Sequence, residues 1–151
     1  MYQQPKYTPE HITKLEPNEI FVFGSNGKGV HGKGAAKQAM SFGAVYGQAQ
    51  GRQGSTYAII TKKDWRIMKS STLKEIQDSL KVFMLYAKQH PELVFLVTKL
   101  GCGFGGYQVS EIAKLFIDVD IQSNVVLPQE FIDYLSSYYK QEYQKEIHLN
   151  N

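Results

Sequence analysis

The sequence has 151 residues, of which 17 are basic and 14 acidic, and its formal net charge is +3. That length fits one domain, and the basic residues form no run, so the chain lacks the strongly basic face of a nucleic-acid-binding protein. A single cysteine excludes an internal disulfide, and no apolar run reaches the length of a signal peptide or a membrane span. We therefore expect one cytoplasmic domain that binds neither nucleic acid nor a membrane.

The apolar pattern alternates between helix and strand along most of the chain. The predicted elements are, in chain order, a short helix at 9–15, a strand at 20–23, a helix at 35–42, a strand at 57–61, a helix at 72–89, a strand at 93–98, a helix at 109–117, a strand at 124–127 and a helix from 128 to about 144. The helix at 72–89 has the clearest signal, because Ser71 or Thr72 can cap it and Glu75 lies in its first turn.

The order of these elements predicts a three-layer α/β/α domain with a largely parallel or mixed central sheet. Two glycine-rich loops, 24–34 and 99–107, each follow a strand. Ligands of such sheets bind beyond the carboxyl ends of the strands, so the two loops predict a single cleft there. A further glycine-rich segment, 43–56, predicts a surface loop or flap.

Glycine-rich loops beside the start of a helix can bind phosphate groups. Glycine permits a positive φ angle and lets a ligand approach free backbone N–H groups. Residues 27–32 match the dinucleotide pattern G-x-G-x-x-G, but no acidic residue ends a second strand about 20 residues further on. Gly32 and Lys33 mimic a P-loop, but Gly34 stands where a Ser or Thr would reach magnesium. A Rossmann dehydrogenase and a nucleoside triphosphatase are therefore both disfavoured.

Four segments together carry a more specific pattern. They are FGSN at 23–26, HGKGA at 31–35, YAIITKK at 57–63 and LGCGFGGY at 100–107. In this order and spacing they resemble the macrodomain family of ADP-ribose binders, and especially its single-domain branch that removes ADP-ribose from carboxylate side chains. The resemblance spans 19–126 and implies a cleft for ADP-ribose or a similar NAD-derived nucleotide.

The resemblance also implies roles for individual residues. Asn26 matches a polar residue that contacts the distal ribose, and Lys62 matches a lysine proposed to attack the anomeric carbon of that ribose. The ligand-binding residues that the resemblance implies are Asn26, Gly32, Lys33, Gly34, Ala35, Gly101, Cys102, Gly103, Phe104, Gly105, Gly106 and Tyr107.

One position departs from the hydrolytic branch, which has an aspartate two residues after its G-C-G where this chain has Gly105. Glycine can neither accept a proton nor stabilise an oxocarbenium ion, so hydrolysis and simple binding both stay open. Asp64 and Asp118 are the carboxylates considered as replacements. Glu16 or Glu19 would correspond to the acidic residue with which that family reads the base.

The remaining side chains have mostly structural interpretations. We interpret His31 as packing over the glycine loop, Cys102 as a small buried thiol, and Trp65 as either a base-stacking residue or a packing anchor. The histidines and the cysteine have no metal-ligand spacing, so we predict neither a metal site nor a cofactor. A third function also stays open: a protein-interaction module with a vestigial cleft. Its protein partner or second copy would contact the 43–56 flap or the last helix, which carries Tyr134, Tyr138, Tyr139 and Tyr143.

Overall fold

A computed structural model describes residues 1–150 of the chain. The strands are β1 (Glu19–Asn26), β2 (Gly51–Gln53), β3 (Thr56–Lys62), β4 (Val94–Val97) and β5 (Val125–Val126). The helices are α1 (Gly34–Met40), α2 (Leu73–Gln89), α3 (Val109–Lys114) and α4 (Gln129–Asn150), and a 3-10 turn at Leu115–Asp118 follows α3.

The strands form one sheet in the order β2-β3-β1-β4-β5. Strand β1 lies at its centre, parallel to β3 and β4, and β5 is parallel to β4, whereas β2 pairs with β3 in the antiparallel direction. Successive side chains of β1 enter different cores: Ile20 packs in the core that contains α2, α3 and the first part of α4, and Phe21 packs in the core that contains α1. Both faces of the sheet are therefore covered, which confirms the three-layer α/β prediction.

Helix α2 begins where its capping signal predicts. The Thr72 hydroxyl accepts a hydrogen bond from the backbone N–H of Glu75 at 3.1 Å, and the Glu75 carboxylate accepts one from the backbone N–H of Thr72 at 3.0 Å. Its apolar face is buried against the sheet, with Leu80 and Phe83 fully enclosed. The loop 63–72 joins β3 to α2 beside the glycine loops, and the capped start of α2 fixes the position of its C-terminal end.

The predicted helix at 9–15 is wrong. That segment is irregular, and Thr8 instead bonds β5: its backbone N–H donates to Leu127 O at 3.0 Å and its hydroxyl donates to Val126 O at 3.0 Å. A seven-residue helix is too short to be stable alone, so these tertiary hydrogen bonds decide the conformation. Residues 7–12, which we call the N-terminal strap, therefore start beside the carboxyl end of β5, and at the other end of the strap Ile12 O accepts a hydrogen bond from the Gln38 side chain of α1.

Other elements differ mainly at their ends. Strand β2 lies within the predicted 43–56 flap and joins β3 through a tight turn in which Gly54 has a φ angle of +57°. Helix α3 is shorter than predicted because it ends in the 3-10 turn, and α4 continues to Asn150. No helix in residues 1–150 combines the length and the apolar character needed to cross a membrane.

Candidate functional site

A cleft of about 1200 Å³ opens at the carboxyl ends of β3, β1, β4 and β5. Both glycine-rich loops line it, and every residue of the predicted site contributes to the lining except Gly106 and Tyr107. The predicted residues that line it are Asn26, Gly32, Lys33, Gly34, Ala35, Lys62, Gly101, Cys102, Gly103, Phe104 and Gly105. Parallel strands end at one edge of the sheet, which explains why loops distant in sequence meet here.

Asn26 organises the first glycine loop. Its Nδ2 donates to Val30 O at 2.7 Å, and its Oδ1 accepts hydrogen bonds from the backbone N–H groups of Lys28 at 3.2 Å and Val30 at 3.0 Å. The side chain thus mainly holds the shape of its own loop. One Nδ2 hydrogen is not used by these bonds, and Asn26 also lines the cleft, so a donor remains at this position.

The glycines of this loop serve two different purposes. A Cβ at Gly27 would lie 2.4 Å from Lys63 O, and one at Gly29 would lie 2.6 Å from the backbone of Gly47, so both are required by packing against other backbone. At Gly32 the nearest atom to an added Cβ is a Val30 methyl carbon at 3.9 Å. Gly32 therefore borders open space in the cleft, where a ligand can approach the main chain.

Free backbone donors are present on both loops. Within residues 1–150, the N–H groups of Gly32 and Lys33 donate to no protein acceptor. On the second loop the same holds, in the described part of the chain, for Gly103, Phe104 and Gly105. Helix α1 has only seven residues, so these loop N–H groups, rather than a long helix dipole, are the main donors available to an anion.

The second glycine loop is tightly folded on itself. Tyr107 N–H donates to Gly101 O at 3.0 Å, and a Cβ at Gly105 would lie 2.6 Å from that same Gly101 oxygen. Phe104 extends from this loop to the first one: the Lys33 ammonium lies 5.7 Å from the centre of its ring. The two loops therefore meet at the mouth of the cleft.

Gly106 and Tyr107, at the end of the second glycine loop, lie outside the cleft lining. The Tyr107 ring is buried in the larger core and its hydroxyl donates to Ser71 O at 2.5 Å. Gly106 has a φ angle of +89° and lies against the Met68 side chain. Both positions attach the second glycine loop to the loop 63–72, so they support the cleft wall without forming part of it.

Lys62 ends β3 directly beside Asn26, which is its partner in the β1–β3 pairing. Its side chain is half-buried and lines the cleft, and it forms no salt bridge with any of the described residues. The neighbouring Lys63 ammonium is 2.8 Å from the Glu75 carboxylate, outside the cleft. The ends of β1 and β3 thus place Lys62 next to Asn26 in the sheet.

Neither proposed replacement for the missing aspartate lines the cleft. Hydrogen bonds from the Arg66 guanidinium, at 3.0 and 2.9 Å, hold the Asp64 carboxylate and lower its pKa to about 2. Asp118 is exposed at the end of the 3-10 turn. The carboxylates that do line the cleft are Glu10 and Glu130, on the N-terminal strap and at the start of α4.

Solved structures share this arrangement of elements. No protein-family model matches the sequence, and no curated protein is significantly similar to it. Thermosipho africanus DarTG in complex with ADP-ribose matches 74% of this chain at 21% identity with a TM-score of 0.48, and this chain spans 38% of its length. The macrodomain of Mycobacterium tuberculosis DarG matches 82% of this chain and 97% of its own length, at 23% identity with a TM-score of 0.54. The chain has the macrodomain fold. A Bacteroides thetaiotaomicron protein of unknown function also matches 77% of this chain and 90% of its own, at 14% identity with a TM-score of 0.51.

The surroundings of Cys102, in the macrodomain cleft, and of His31, outside its lining, indicate that both side chains have packing roles. Burial raises the pKa of the Cys102 thiol to about 11, so the thiol stays protonated at neutral pH and is not an activated nucleophile. His31 is buried, its ring edge packs on Phe23 with centroids 5.3 Å apart, and its Nε2 bonds Gln48 O at 3.1 Å. His31 does not belong to the cleft lining, in agreement with the packing role predicted for it.

Sequence reasoning missed the β5 side of the macrodomain cleft. Here the wall consists of Tyr7, Thr8, Pro9, Glu10 and Ile12 on the strap, and Pro128, Gln129 and Glu130 at the start of α4. The predicted base-reading residues lie elsewhere: Glu19 is buried and accepts hydrogen bonds from the Tyr2 hydroxyl at 2.9 Å and the Glu16 N–H at 2.8 Å. No local signal in the sequence distinguishes a strap from the helix start that Thr8 and Pro9 imitate.

The loop 63–72 supplies the outer wall at the β3 side. Trp65 lines the cleft and remains half-exposed, with the Arg66 guanidinium 6.0 Å from its ring centre. Trp65 therefore lies in the cleft wall, and its stacking on a base stays a prediction. Within residues 1–150, no group of three or more His, Cys, Asp or Glu side chains is placed to hold a metal ion.

Proposed function

We propose that this chain binds ADP-ribose, or a closely related NAD-derived nucleotide, in the cleft between its two glycine-rich loops. The observation that carries the proposal is the convergence of free backbone N–H groups from both loops beside Asn26 and Lys62. A diphosphate needs several donors and positive charge within a small volume, and a ribose needs polar side chains next to it. The macrodomain fold supports the same assignment.

The dimensions of the cleft support a ligand of this size. Its volume of about 1200 Å³ exceeds the roughly 300–1,000 Å³ typical of small-molecule sites. The lining follows the ends of neighbouring strands from β3 to β5, so the cleft is elongated along the edge of the sheet. The loops that carry the free donors follow β1 and β4, the two middle strands of the four, and this fits a nucleotide that carries its diphosphate between two ribose groups.

Calorimetric titration with ADP-ribose, alongside NAD and ATP, tests the proposal. We expect saturable binding of ADP-ribose at one site, and a ligand concentration of 100 times the dissociation constant should add about 2.7 kcal/mol to stability. Absence of both heat and thermal stabilisation would overturn the proposal. If the protein then self-associated, the exposed Tyr139 and Tyr143 on α4 would favour the interaction-module alternative.

A second candidate activity of this cleft is hydrolysis of an ADP-ribose conjugate, with Lys62 as the nucleophile. The position of Lys62 beside Asn26 favours it, because an unprotonated amine there can form a bond to the anomeric carbon as the C–O bond to the carboxylate breaks, and water then cleaves the new C–N bond to release ADP-ribose. Gly105 favours binding without chemistry, since it supplies no carboxylate next to Lys62. A non-catalytic nucleotide-binding module is therefore the alternative.

Replacing Lys62 separates these two functions. In Lys62→Ala we expect ADP-ribose affinity to change by less than about fivefold, because the loop N–H groups remain, while release of ADP-ribose from an ester-linked peptide falls roughly 100-fold or more. Lys63→Ala is the matched control, since Lys63 is the next residue and pairs with Glu75 outside the cleft. If Lys62→Ala released ADP-ribose at the unaltered rate, Lys62 would not be the nucleophile. If the unaltered protein released no ADP-ribose, the cleft would bind the nucleotide without hydrolysing a conjugate.

A further inference from the structure

The cleft is divided by charge along its length. At the first glycine loop and the end of β3, Lys33 and Lys62 line it, and neither forms a salt bridge with a described residue. At the end of β5, the lining carries two carboxylates, Glu10 and Glu130. Strands β3 and β5 are three positions apart in the sheet, so the ends of these two strands are separated by roughly 14 Å.

The cation nearest the acidic end is already paired. The Lys99 ammonium lies 3.1 Å from the Glu130 carboxylate, and both side chains are about half-exposed. Lys6 lies over the ring of Tyr7, with 5.5 Å to the ring centre, and is not part of the cleft lining. Glu10 forms no salt bridge within residues 1–150, so this end of the lining has one uncompensated negative charge.

This charge division fixes how an elongated dinucleotide lies in the cleft, if the site takes ADP-ribose as proposed above. The diphosphate carries the negative charge of the ligand and is attracted to the free N–H groups of the glycine loops and to the ammonium groups of Lys33 and Lys62. The nucleoside end then lies toward β5, where carboxylates can accept hydrogen bonds from amino and hydroxyl groups. A phosphate on that nucleoside would instead face like charge.

We propose that the β5 end of the cleft selects against a phosphorylated nucleoside, so that the site takes ADP-ribose and rejects its 2′-phosphorylated counterpart. A phosphate monoester carries about −1.5 to −2 charges at neutral pH, and like charge placed against it is an effective means of specificity. An acidic residue near the ribose likewise accompanies preference for NAD over NADP in dinucleotide-binding folds. This inference rests on the proposed function and narrows its substrate class.

The test compares titrations of ADP-ribose and ADP-ribose 2′-phosphate at one pH and ionic strength. We expect the 2′-phosphate to bind roughly tenfold more weakly or worse, with a difference that shrinks as salt is added. In Glu130→Gln the ratio of the two dissociation constants should fall at least about threefold, because the substitution removes a carboxylate and frees Lys99. Glu10→Gln should lower the ratio less, since it frees no cation.

Glu142→Gln is the matched control. Glu142 lies on the same helix and pairs with Lys145 at 3.2 Å, but it is outside the cleft lining, so the ratio should not change. Equal affinities of the unaltered protein for the two ligands would overturn this inference while leaving the proposed function intact. A ratio unaffected by both cleft variants would also overturn it. If neither ligand bound, the proposed function itself would fail, and the inference with it.

Discussion

Gly32→Glu should weaken ADP-ribose binding roughly 100-fold or more while the free energy of unfolding changes by less than about 0.5 kcal/mol. An added Cβ at Gly32 meets nothing closer than a Val30 methyl carbon at 3.9 Å, and Gly32 does not have a positive φ angle, so the folded chain accepts a side chain there. The new carboxylate would enter the space proposed for the diphosphate. At about 5 Å and an effective dielectric of about 20, each pair of like charges costs about 3 kcal/mol.

Two control variants separate charge from bulk in this experiment. Gly32→Gln places an uncharged side chain of the same size in the cleft, and we expect it to weaken binding about tenfold or less. Gln141→Glu adds the same charge on the exposed side of α4, outside the cleft lining, and should have no effect. Equal losses in Gly32→Gln and Gly32→Glu would show that the position is merely crowded. Undiminished binding in Gly32→Glu would place the diphosphate elsewhere.

The elements that could be predicted are those whose signal is local. Helix α2 is specified by its capping box and its apolar face, and β1 by a short apolar run that leads into glycine. The cleft followed from a topological rule, because loops after parallel strands emerge at one edge of the sheet. Its ligand was inferred from motif resemblance.

Other features depend on partners that are far away in the sequence. Thr8 and Pro9 imitate the start of a helix, but the Thr8 hydroxyl finds its acceptor on Val126, 118 positions later. That contact holds the strap, and with it Glu10, beside the end of β5. Local helix propensity over a few residues is weak compared with tertiary hydrogen bonds and burial.

The glycines illustrate the same limit at a finer scale. Gly27 and Gly32 are the same residue type in one loop, yet a Cβ would collide with Lys63 O at the first position and meet open space at the second. Asn26 is similar: its amide is predicted to contact the ligand, and in the structure it also makes three hydrogen bonds with its own loop. The sequence predicts that such residues matter for the loop or its ligand, but it does not predict which atoms they contact.

The second large effect concerns Gly105, which stands where the hydrolytic branch that the sequence resembles has an aspartate. We expect Gly105→Asp to lower the free energy of unfolding by about 3 kcal/mol, since overpacking against a rigid neighbour costs roughly that much. A Cβ at this position would lie 2.6 Å from Gly101 O and 2.9 Å from Gly101 Cα, which are backbone atoms that cannot rotate away. Lys69 N–H also donates to Gly105 O at 2.9 Å, so a shift of the loop would disturb the 63–72 wall as well. Chemical denaturation measures this loss directly.

Gly103→Asp provides the control, because it adds the same charge two residues away at a position with no atom within 4 Å of the added Cβ. We expect its stability to change by less than about 0.5 kcal/mol. Gly105→Ala should lose much of the stability that Gly105→Asp loses, since the Cβ alone makes the collision. Gly105→Asp should also fail to increase release of ADP-ribose from an ester-linked peptide, because the loop must move before the carboxylate fits. A Gly105→Asp protein as stable as the unaltered chain would refute the expected collision with Gly101 and would indicate that the loop accepts an aspartate at this position. The expected loss would instead mean that the whole loop, from Gly101 to Tyr107, is built around the absence of that side chain.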